Sequence, residues 1–285
     1  NGSCPPDWAG KCNAARVGAE RASGRYLLFT DADVQFAPTL VRASMALLLR
    51  DGRGLLSILP TLTTGHWFER VVQPAAAMAL LRIYPVDRVN RDHRRRPFAN
   101  GQFMLFDRAV YERIGGHAAV KDDLLEDIAF ARAVEAVGAR GSIAIADGMM
   151  VVSMYPTLEA MRTGWKRIFV EACKRKTSRL RQQAVRIAAI GVLGPIVQVV
   201  ALVLGLSLGG PYAGAALVAV GIGALAQVVA LAAVYRLSRS PISGALGYPL
   251  ASAIVAKAFW DGAADLRSGR PIRWGGREYV LTPRR

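Results

Sequence analysis

The sequence predicts an α/β domain followed by helices that cross a membrane. Strand-like and helix-like segments alternate over residues 1–157, which is typical of an α/β domain. Two nearly uncharged stretches follow, over residues 185–208 and 213–234, and each is long enough to cross a bilayer. The chain of 285 residues has a net charge of +16, with 52% hydrophobic residues and a mean hydropathy of +0.24. A basic chain with such uneven apolarity favours a membrane surface as its partner.

Cysteine and histidine spacing argues against a disulfide scaffold and a zinc site. The three cysteines form neither a CxxC pair nor an even framework. The three histidines are far apart, so we expect each to be an ordinary loop or surface residue: His66, His93 and His117.

The first predicted strand ends in two carboxylates. A helical pattern over residues 14–22 stops at Gly24, and the apolar run Tyr26–Thr30 leads into Asp31 and Asp33. A helix–strand unit indicates a parallel sheet, and ligands of open α/β sheets bind at the carboxyl ends of such strands. Two carboxylates there suit a divalent cation whose shell is completed by phosphate oxygens. For the pair alone, a solvated turn is the more common interpretation.

Further elements complete the predicted soluble domain. They are a helix from Pro38, the strand Leu55–Leu59, an apolar helix over 67–81, a basic loop over 88–96, a strand over 100–106, a turn over 114–117, a helix from 122 to about 137 and a strand region over 142–154. The apolar helix fits the core or a membrane surface, and the basic loop fits a solvated turn or phosphate contact. The helix from 122 opens with four carboxylates, which suit its positive dipole end, although one of them could instead serve as a general base.

Residues 158–184 predict a basic amphipathic helix that lies on anionic headgroups. Nucleic acid is the alternative partner, but the stretch has little aromatic interleaving and no helix-turn-helix turn, so we expect no nucleic-acid binding. The two spans follow, joined by a turn at Gly209-Gly210-Pro211. A third candidate over 244–264 is weaker because it contains Pro249, Lys257 and Asp261. Two full crossings plus an interfacial or re-entrant segment are favoured, and three crossings remain open.

The charge pattern predicts orientation. Basic residues flank the spans on one side, and the positive-inside rule makes that side cytoplasmic. The soluble domain precedes the first crossing, so it is expected in the cytoplasm as well. The predicted division of the chain is therefore a catalytic domain at 1–157, an interfacial helix at 158–184, a membrane region at 185–266 and a basic tail at 267–285.

Several short motifs now occur in a recognisable order. They are Trp8-x-Gly10-Lys11, Thr30-Asp31-Ala32-Asp33, Asn100-Gly101-Gln102-Phe103, Gly115-Gly116, Glu126-Asp127, Arg162-x-x-Trp165-Lys166-Arg167 and Trp274-Gly275-Gly276-Arg277-Glu278-Tyr279. This set resembles membrane-bound family 2 glycosyltransferases, closest to the hopene-associated glycosyltransferases, with carotenoid-acid and ceramide glycosyltransferases as relatives. The resemblance implies a GT-A (Rossmann-like) α/β glycosyltransferase domain followed by C-terminal transmembrane helices. Because the family opens with a strand and helix that hold the nucleotide base, we expect an N-terminally truncated domain that lacks its first strand–helix unit. Either the sequence is a fragment or the protein has lost that half-site, and we expect this chain alone to bind nucleotide-sugar weakly or not at all.

The resemblance also implies roles for the matching residues. Asp127 matches the catalytic base, with Glu126 beside it, and Asp33 is the expected direct ligand of Mg²⁺ or Mn²⁺, with Asp31 nearer the sugar or ribose. The expected nucleotide-sugar-binding residues are Lys11, Asp31, Asp33, Arg162, Trp165, Lys166 and Arg167, and the expected acceptor region is Asn100, Gly101, Gln102 and Glu126. The tryptophan of the basic-aromatic motif comes one place early, so its match is imperfect.

The implied activity is sugar transfer to a lipid. The donor would be a nucleotide-diphosphate sugar, the acceptor a hopanoid, carotenoid or sphingolipid-like membrane lipid, and the anomeric configuration would be inverted. We expect a multi-pass protein of the cell (inner) membrane. Two alternatives stay open: a degenerate, non-catalytic membrane-anchored protein, and, less favoured, a metal-dependent phosphohydrolase with Asp31 as nucleophile.

Overall fold

A computed structural model describes residues 4–5, 8, 10–121, 125–208, 213–274 and 277–284. The helices are α1 (Gly10–Arg21), α2 (Leu40–Arg50), α3 (Trp67–Ile83), α4 (Arg108–Arg113), α5 (Glu126–Ala136), α6 (Leu158–Ala172), α7 (Thr177–Ala188), α8 (Gly194–Leu208), α9 (Ala213–Leu237) and α10 (Tyr248–Ser268). The strands are β1 (Tyr26–Thr30), β2 (Val34–Phe36), β3 (Leu55–Leu59), β4 (Thr61–Leu62), β5 (Phe103–Asp107), β6 (Gly141–Ile145), β7 (Met150–Val152), β8 (Ile272–Trp274) and β9 (Arg277–Tyr279). A π-helical turn covers Ala189–Leu193, and 3₁₀ turns cover Val86–Arg88, Gly116–Val120 and Ile242–Gly247.

The chain packs as two units, which are described separately. The first contains the described residues of Asn1–Thr63, Tyr84–Met154 and Arg273–Arg277. The second contains those of Thr64–Ile83, Tyr155–Ile272 and Glu278–Arg285. The sequence predicts one soluble domain over residues 1–157, whereas in the structure α3, which lies within that range, belongs to the second unit.

The first unit is built on a four-stranded sheet in the order β1-β5-β3-β6. β3 pairs with β6 in parallel, whereas β5 lies between β1 and β3 and is antiparallel to both. The prediction that β1 hydrogen-bonds within a parallel sheet is wrong, because its neighbour is the reversed strand β5. β1, β3 and β6 nevertheless run in the same direction, so the carboxyl end of β1 lies at the same edge as theirs. A second, smaller sheet has the order β2-β7-β4.

Apolar side chains cover both faces of the larger sheet. On one face, Leu55, Met104 and Phe106 pack with Phe130 of α5. On the other, their sequence neighbours pack with α2, and these neighbours are Leu56, Phe103 and Leu105. This alternation explains why the central strands are continuous apolar runs in the sequence.

The second unit is helical, and its basic segment is broken in two. The structure has α6 and α7 where the sequence predicts one helix over 158–184. The break lies at Lys174 and Arg175, whose φ angles of +57° and +54° are left-handed and cannot continue a helix. The apolar helix predicted over 67–81 is α3, and its inner side is buried in this unit through Phe68, Val72 and Ala76.

The described residues contain three helices that are long and apolar enough to cross a membrane. They are Thr177–Ser207, Ala213–Leu237 and Ile242–Ser268. The most apolar windows of the first two are almost wholly exposed, with 6% and 0% of their residues buried, whereas 44% of the third is buried inside the protein. The first two therefore present their apolar surface outward, and the third is partly covered by the neighbouring helices. The predicted turn at Gly209-Gly210-Pro211 lies outside the described residues.

Candidate active site

The loop that precedes β5 is held in place by hydrogen bonds to β1 and β3. Thr30 Oγ1 donates to the carbonyl oxygen of Gln102 at 3.0 Å, which ties the loop to the end of β1. Ser57 Oγ of β3 accepts from the Asn100 N–H at 2.7 Å and donates to the Asn100 carbonyl at 3.1 Å. Asn100 Oδ1 also accepts from the Gln102 N–H at 3.2 Å. These bonds fix the backbone of Gly101, which lies between Asn100 and Gln102.

Gly101 contacts the two carboxylates that open α5. Its N–H donates to Asp127 Oδ2 at 2.9 Å, and the other oxygen, Oδ1, accepts from the Ile128 N–H at 2.7 Å. A Cβ at position 101 would lie 3.1 Å from Lys11 Nζ and 3.4 Å from both Asp127 Oδ2 and Glu126 Oε1. An added Cβ would therefore crowd the Lys11 ammonium and touch both carboxylates.

Lys11 joins the carboxylates of two elements. Its ammonium Nζ lies 2.8 Å from Asp31 Oδ1, after β1, and 2.8 Å from Glu126 Oε1, in the first turn of α5. Glu126 is only 4% exposed, and a buried carboxylate is costly unless it is paired. Burial lowers the pKa of Lys11, but the charges of Glu126 and Asp31 raise it more, so the pKa lies above its ordinary value overall and the side chain stays protonated.

Asp127 has a pKa well above that of an ordinary aspartate. Burial raises the pKa of this carboxyl from its ordinary value of 3.8 to about 6, and the negative charge of Glu126 adds to the rise. Lys11 and the hydrogen bonds from the Gly101 and Ile128 N–H groups act in the opposite direction. A carboxylate with a pKa near the working pH, held in a fixed orientation by two backbone donors, is suited to accept a proton.

Asp33 differs from Asp31 in being unpaired. Its carboxylate is exposed, and within the part of the chain that the structure describes it has no hydrogen bond or ion pair. Among these same residues, no group of three or more His, Cys, Asp or Glu side chains could hold a metal ion unaided. Mg²⁺ commonly binds through one or two carboxylates together with substrate phosphates. The free Asp33 carboxylate fits such an ion when a diphosphate supplies the remaining oxygens.

Residues 8–284 match the family profile described as Glycosyl transferase family 21. The chain belongs to glycosyl transferase family 21. The match covers both units and supports glycosyl transfer, a mixed α/β domain with parallel strands and long apolar helices after it. The motif pattern predicts family 2, whereas the match is to family 21. A comparison with curated proteins finds no match.

His117 of this family 21 chain is buried, and the prediction of an ordinary loop or surface histidine is wrong. Its Nδ1 lies 2.7 Å from the Tyr111 hydroxyl, and its ring packs against Phe29 and Phe130 at centroid distances of 4.7 and 4.8 Å. Burial lowers the pKa of His117 to about 4, with a contribution from the charge of Lys11, so the ring is neutral. The signal available in the sequence was the Gly115-Gly116 pair just before His117. Gly116 lets the chain pass close to Tyr111, the hydrogen-bond partner of His117, because a Cβ at position 116 would lie 2.9 Å from Tyr111 Cζ.

Ser57 is a second residue that sequence reasoning missed. It is fully buried in β3 and holds Asn100 through the two hydrogen bonds described above. The available signal was one hydroxyl within the apolar run Leu55–Leu59. A buried polar group in such a run needs a partner, and here the partner is the loop that carries Gly101.

The four predicted donor-binding residues of the basic-aromatic motif lie on α6, in the second unit. Arg162 Nη2 is 3.7 Å from Asp261 Oδ2, and Lys166 Nζ is hydrogen-bonded to Asp265 Oδ2 at 2.5 Å. Trp165 is 5% exposed, and its Nε1 has no hydrogen-bond partner within the described residues. Arg167 follows on the same helix. Two of the expected donor ligands are thus already in ion pairs with α10, and their role at the diphosphate stays a prediction. The predicted helix-opening carboxylates Asp122 and Asp123, and Gly275 and Gly276 of the last motif, lie outside the described residues.

Proposed function

We propose that this family 21 protein transfers a sugar from a nucleotide-diphosphate sugar to a hydroxyl group of a membrane lipid, with inversion at the anomeric carbon. The observation that carries this proposal is the cluster of Lys11, Asp31, Gly101, Glu126 and Asp127. It combines a base with a pKa of about 6, Asp127, with two carboxylates that share the Lys11 ammonium group, those of Asp31 and Glu126. The unpaired carboxylate of Asp33 follows two residues after Asp31. Family membership supports glycosyl transfer, and the cluster supports a way of performing it.

The leaving diphosphate needs its charge neutralised before it departs. Asp33, together with Asp31, would hold Mg²⁺ or Mn²⁺ against the diphosphate oxygens. The ion would act as a Lewis acid that stabilises the departing diphosphate. Lys11 keeps its charge beside Asp31, so it adds a fixed cation to the same region.

The acceptor hydroxyl loses its proton as it attacks. The proton passes to the Asp127 carboxylate while the acceptor oxygen forms a bond to the anomeric carbon and the bond from that carbon to the diphosphate oxygen breaks. Gly101 and Ile128 hold Asp127 through their N–H groups, which leaves one lone pair on each carboxylate oxygen for the incoming proton. One base and one displacement give inversion of configuration.

The long apolar helices support a lipid as the acceptor. Helices Thr177–Ser207 and Ala213–Leu237 expose nearly all of their most apolar windows, so a lipid acceptor would not need to leave the bilayer. We propose a hopanoid, carotenoid or sphingolipid-like acceptor, in keeping with the resemblance to hopene-associated and ceramide glycosyltransferases. The proposed location is the cell (inner) membrane with the catalytic unit in the cytoplasm, as the positive-inside rule predicts.

The test is a transfer assay with the full-length protein in native membranes. A panel of radiolabelled nucleotide-sugars is offered with a total lipid extract, and the anomeric configuration of any labelled lipid is determined by NMR. We expect one donor to label a lipid with inversion, Asp127→Asn to abolish labelling, and the exposed control Asp92→Asn to leave it unchanged. Retention of configuration would contradict the single-displacement mechanism. Absence of transfer by the wild type with every donor would favour the non-catalytic alternative.

A further inference from the structure

The third membrane-crossing candidate, Ile242–Ser268, begins beside the end of the second one. Tyr235 lies in the last turn of α9 and is buried, and its hydroxyl is 3.0 Å from the carbonyl oxygen of Val71 in α3. The same hydroxyl is 3.2 Å from the carbonyl oxygen of Gly244, which precedes α10. A Cβ at Gly244 would overlap the carbonyl oxygen of Arg70. The chain that leaves α9 is therefore held against α3, close to Arg236, before α10 begins.

The helices α8 and α9 pack antiparallel, so two arginines mark one surface of the membrane. A Cβ at Gly205 of α8 would lie 3.0 Å from Leu217 Cδ2 of α9, and a Cβ at Gly223 of α9 would lie 3.5 Å from Gln198 Nε2 of α8. Continued along both helices, this pairing brings exposed Arg186, before α8, to the level of exposed Arg236, at the end of α9. Arginines at the ends of membrane helices extend their charge to the headgroup level.

From this level α10 runs back along α7. Near its start, Ser252 packs on Gly191 of the π-helical turn, where any Cβ would overlap Ser252 Oγ. Further along, Trp260 lies beside Arg181 of α7, whose guanidinium carbon is 5.8 Å from the ring centroid. Since residue numbers rise along α10 while they fall along its neighbour, the two helices are antiparallel. Gly191 follows Arg186 by a rise of only about 7 Å, so α10 begins just inside the surface that Arg186 marks and leaves it towards Arg181.

The end of α10 and the tail that follows are bound to helices on the same side. Asp265, near the end of α10, is hydrogen-bonded to Lys166 of α6 at 2.5 Å. The Arg284 N–H donates to the carbonyl oxygen of Arg175, between α6 and α7, at 3.1 Å. A helix that crosses a bilayer has its two ends at opposite surfaces, whereas both ends of Ile242–Ser268 lie at the end of the α8–α9 pair that Arg186 and Arg236 mark.

The exposed face of α10 changes from apolar to cationic along the helix. Its exposed side chains recur every three or four residues, so they lie on one face: Leu250, Ala253, Lys257, Trp260, Ala264 and Arg267. Leu250 is 54% exposed, and Leu246 in the preceding turn is 88% exposed. Leucine suits the acyl chains of a bilayer, and tryptophan, lysine and arginine suit its headgroup level. The polarity of this face thus matches a helix whose first turns alone enter lipid.

We propose that α10 does not cross the bilayer and that its exposed face binds a single phospholipid leaflet, the one that contains Arg186 and Arg236. Leu246 and Leu250 contact the upper acyl chains, and Trp260 lies among the headgroups. Interfacial helices insert their apolar face by about 5–10 Å, which agrees with the shallow start of α10. The inference rests on the crossings by Thr177–Ser207 and Ala213–Leu237 and not on the proposed transfer reaction.

The number of crossings is tested by labelling the full chain in sealed membrane vesicles of both orientations with a membrane-impermeant maleimide. Cys4→Ser is the parent, because Cys12 and Cys173 are buried, and single exposed serines are replaced by cysteine. Ser178→Cys and Ser207→Cys report the two sides of the first crossing. We expect Ser268→Cys to be labelled on the side of Ser178→Cys. Labelling on the side of Ser207→Cys would show a third crossing and overturn the proposal, and so would labelling of both reference positions on one side.

Lipid contact is tested with a bimane fluorophore on Ala253→Cys and on the matched control Ala264→Cys, in vesicles of brominated phosphatidylglycerol. Both alanines are exposed on the same face of α10, so both variants should fold, as circular dichroism checks. We expect Ala253→Cys to lose most fluorescence when bromine lies near the headgroup end of the acyl chain, and Ala264→Cys to lose little. Stronger quenching of Ala253→Cys by bromine near the methyl end would place α10 at the bilayer centre. That result, or no quenching at all, would overturn the proposal.

Discussion

The Gly101 N–H donates a hydrogen bond of 2.9 Å to Asp127 Oδ2. This bond joins the loop before β5 to the first turn of α5, which are 26 residues apart in the sequence. Because Thr30 and Ser57 fix the same loop to β1 and β3, the orientation of Asp127 depends on the sheet. The position of the proposed base is thus set by backbone rather than by a flexible side chain.

Gly101→Ala should reduce transfer strongly while leaving the fold intact. The added Cβ would lie 3.1 Å from Lys11 Nζ, so the ammonium group that lies between Asp31 and Glu126 must move by a few tenths of an ångström, and the Cβ would be in van der Waals contact with Asp127 Oδ2 at 3.4 Å. Small displacements of a catalytic group can cost on the order of a hundredfold in rate. We expect a loss of roughly tenfold to a hundredfold in kcat, measured by radiolabel transfer, with little change in the thermal midpoint.

Gly18→Ala is the matched control for this substitution. A Cβ at position 18 in α1 would have nothing within 4 Å. Replacement of a helical glycine by alanine should stabilise the fold by about 0.5–1 kcal/mol without affecting the rate. Equal loss of activity in both variants would contradict the steric account of Gly101.

The activity should depend on pH through Asp127. The base works only when ionised, so with a pKa of about 6 the value of kcat/KM should fall about tenfold for each pH unit below 6. Glu126 raises the pKa of Asp127 through its negative charge, so Glu126→Gln should lower that pKa and move the acid limb to lower pH. The pH–rate profiles of the wild type and Glu126→Gln test this directly. A limb that stays in place, or moves upward, would rule out Asp127 as the titrating base.

Asp33→Asn should weaken metal binding more than any other single acid-to-amide change at the site. Asp33 is the exposed carboxylate without an ion pair, whereas Asp31 Oδ1 is already 2.8 Å from Lys11 Nζ. We expect the Mn²⁺ concentration needed for half-maximal transfer to rise at least about tenfold. Mn²⁺ binding in the presence of each common nucleoside diphosphate, followed by electron paramagnetic resonance, provides a readout that is independent of turnover.

Asp87→Asn serves as the control for metal binding. Asp87 is exposed, and its carboxylate forms an ion pair with Arg91 in the loop that follows the 3₁₀ turn Val86–Arg88. Its substitution should therefore leave Mn²⁺ binding unchanged. If Asp33→Asn binds Mn²⁺ as the wild type does, the metal is held elsewhere or is not required.

Local signals in the sequence were sufficient to predict the ends of the elements that carry the site. The apolar run Tyr26–Thr30 ends at Asp31, and Glu126 with Asp127 opens α5, as the acidic start of a helix predicts. Such local signals do not predict which of these elements contact one another. The bridge from Lys11 to Glu126 depends on the relative position of α1 and α5, and no pattern of spacing encodes that position.

Two predictions from the sequence, a parallel partner for β1 and one continuous helix over 158–184, are wrong for physical reasons that sequence patterns do not show. The antiparallel insertion of β5 beside β1 is a matter of long-range strand order, and the apolar run of β1 fits either direction. The break between α6 and α7 occurs at Lys174 and Arg175 without glycine or proline, and such non-glycine left-handed residues are uncommon. Here their conformation is accompanied by a hydrogen bond from the Arg175 N–H to the Val170 carbonyl, which closes α6.

The ion pair between Lys166 and Asp265 predicts that Lys166 stabilises the second unit. Asp265 has a side-chain exposure of 12%, and its other cationic neighbour, Arg270, is more distant, with Nη1 at 3.6 Å from Oδ1. Lys166→Gln leaves this carboxylate poorly paired, so we expect a loss of about 1–3 kcal/mol in the free energy of unfolding. The thermal midpoint in detergent measures this loss.

The same variant separates a structural role for Lys166 from a role at the donor diphosphate. If the ion pair is its main function, Lys166→Arg should restore the thermal midpoint, and Lys166→Gln should not raise the KM for nucleotide-sugar. Lys257→Gln is the control, because it breaks the more exposed ion pair between Lys257 and Asp261, which both lie on α10. It should change the thermal midpoint little, since surface ion pairs contribute about 0–1 kcal/mol. A raised donor KM in Lys166→Gln at an unchanged midpoint would instead assign Lys166 to the diphosphate, as the family resemblance implies.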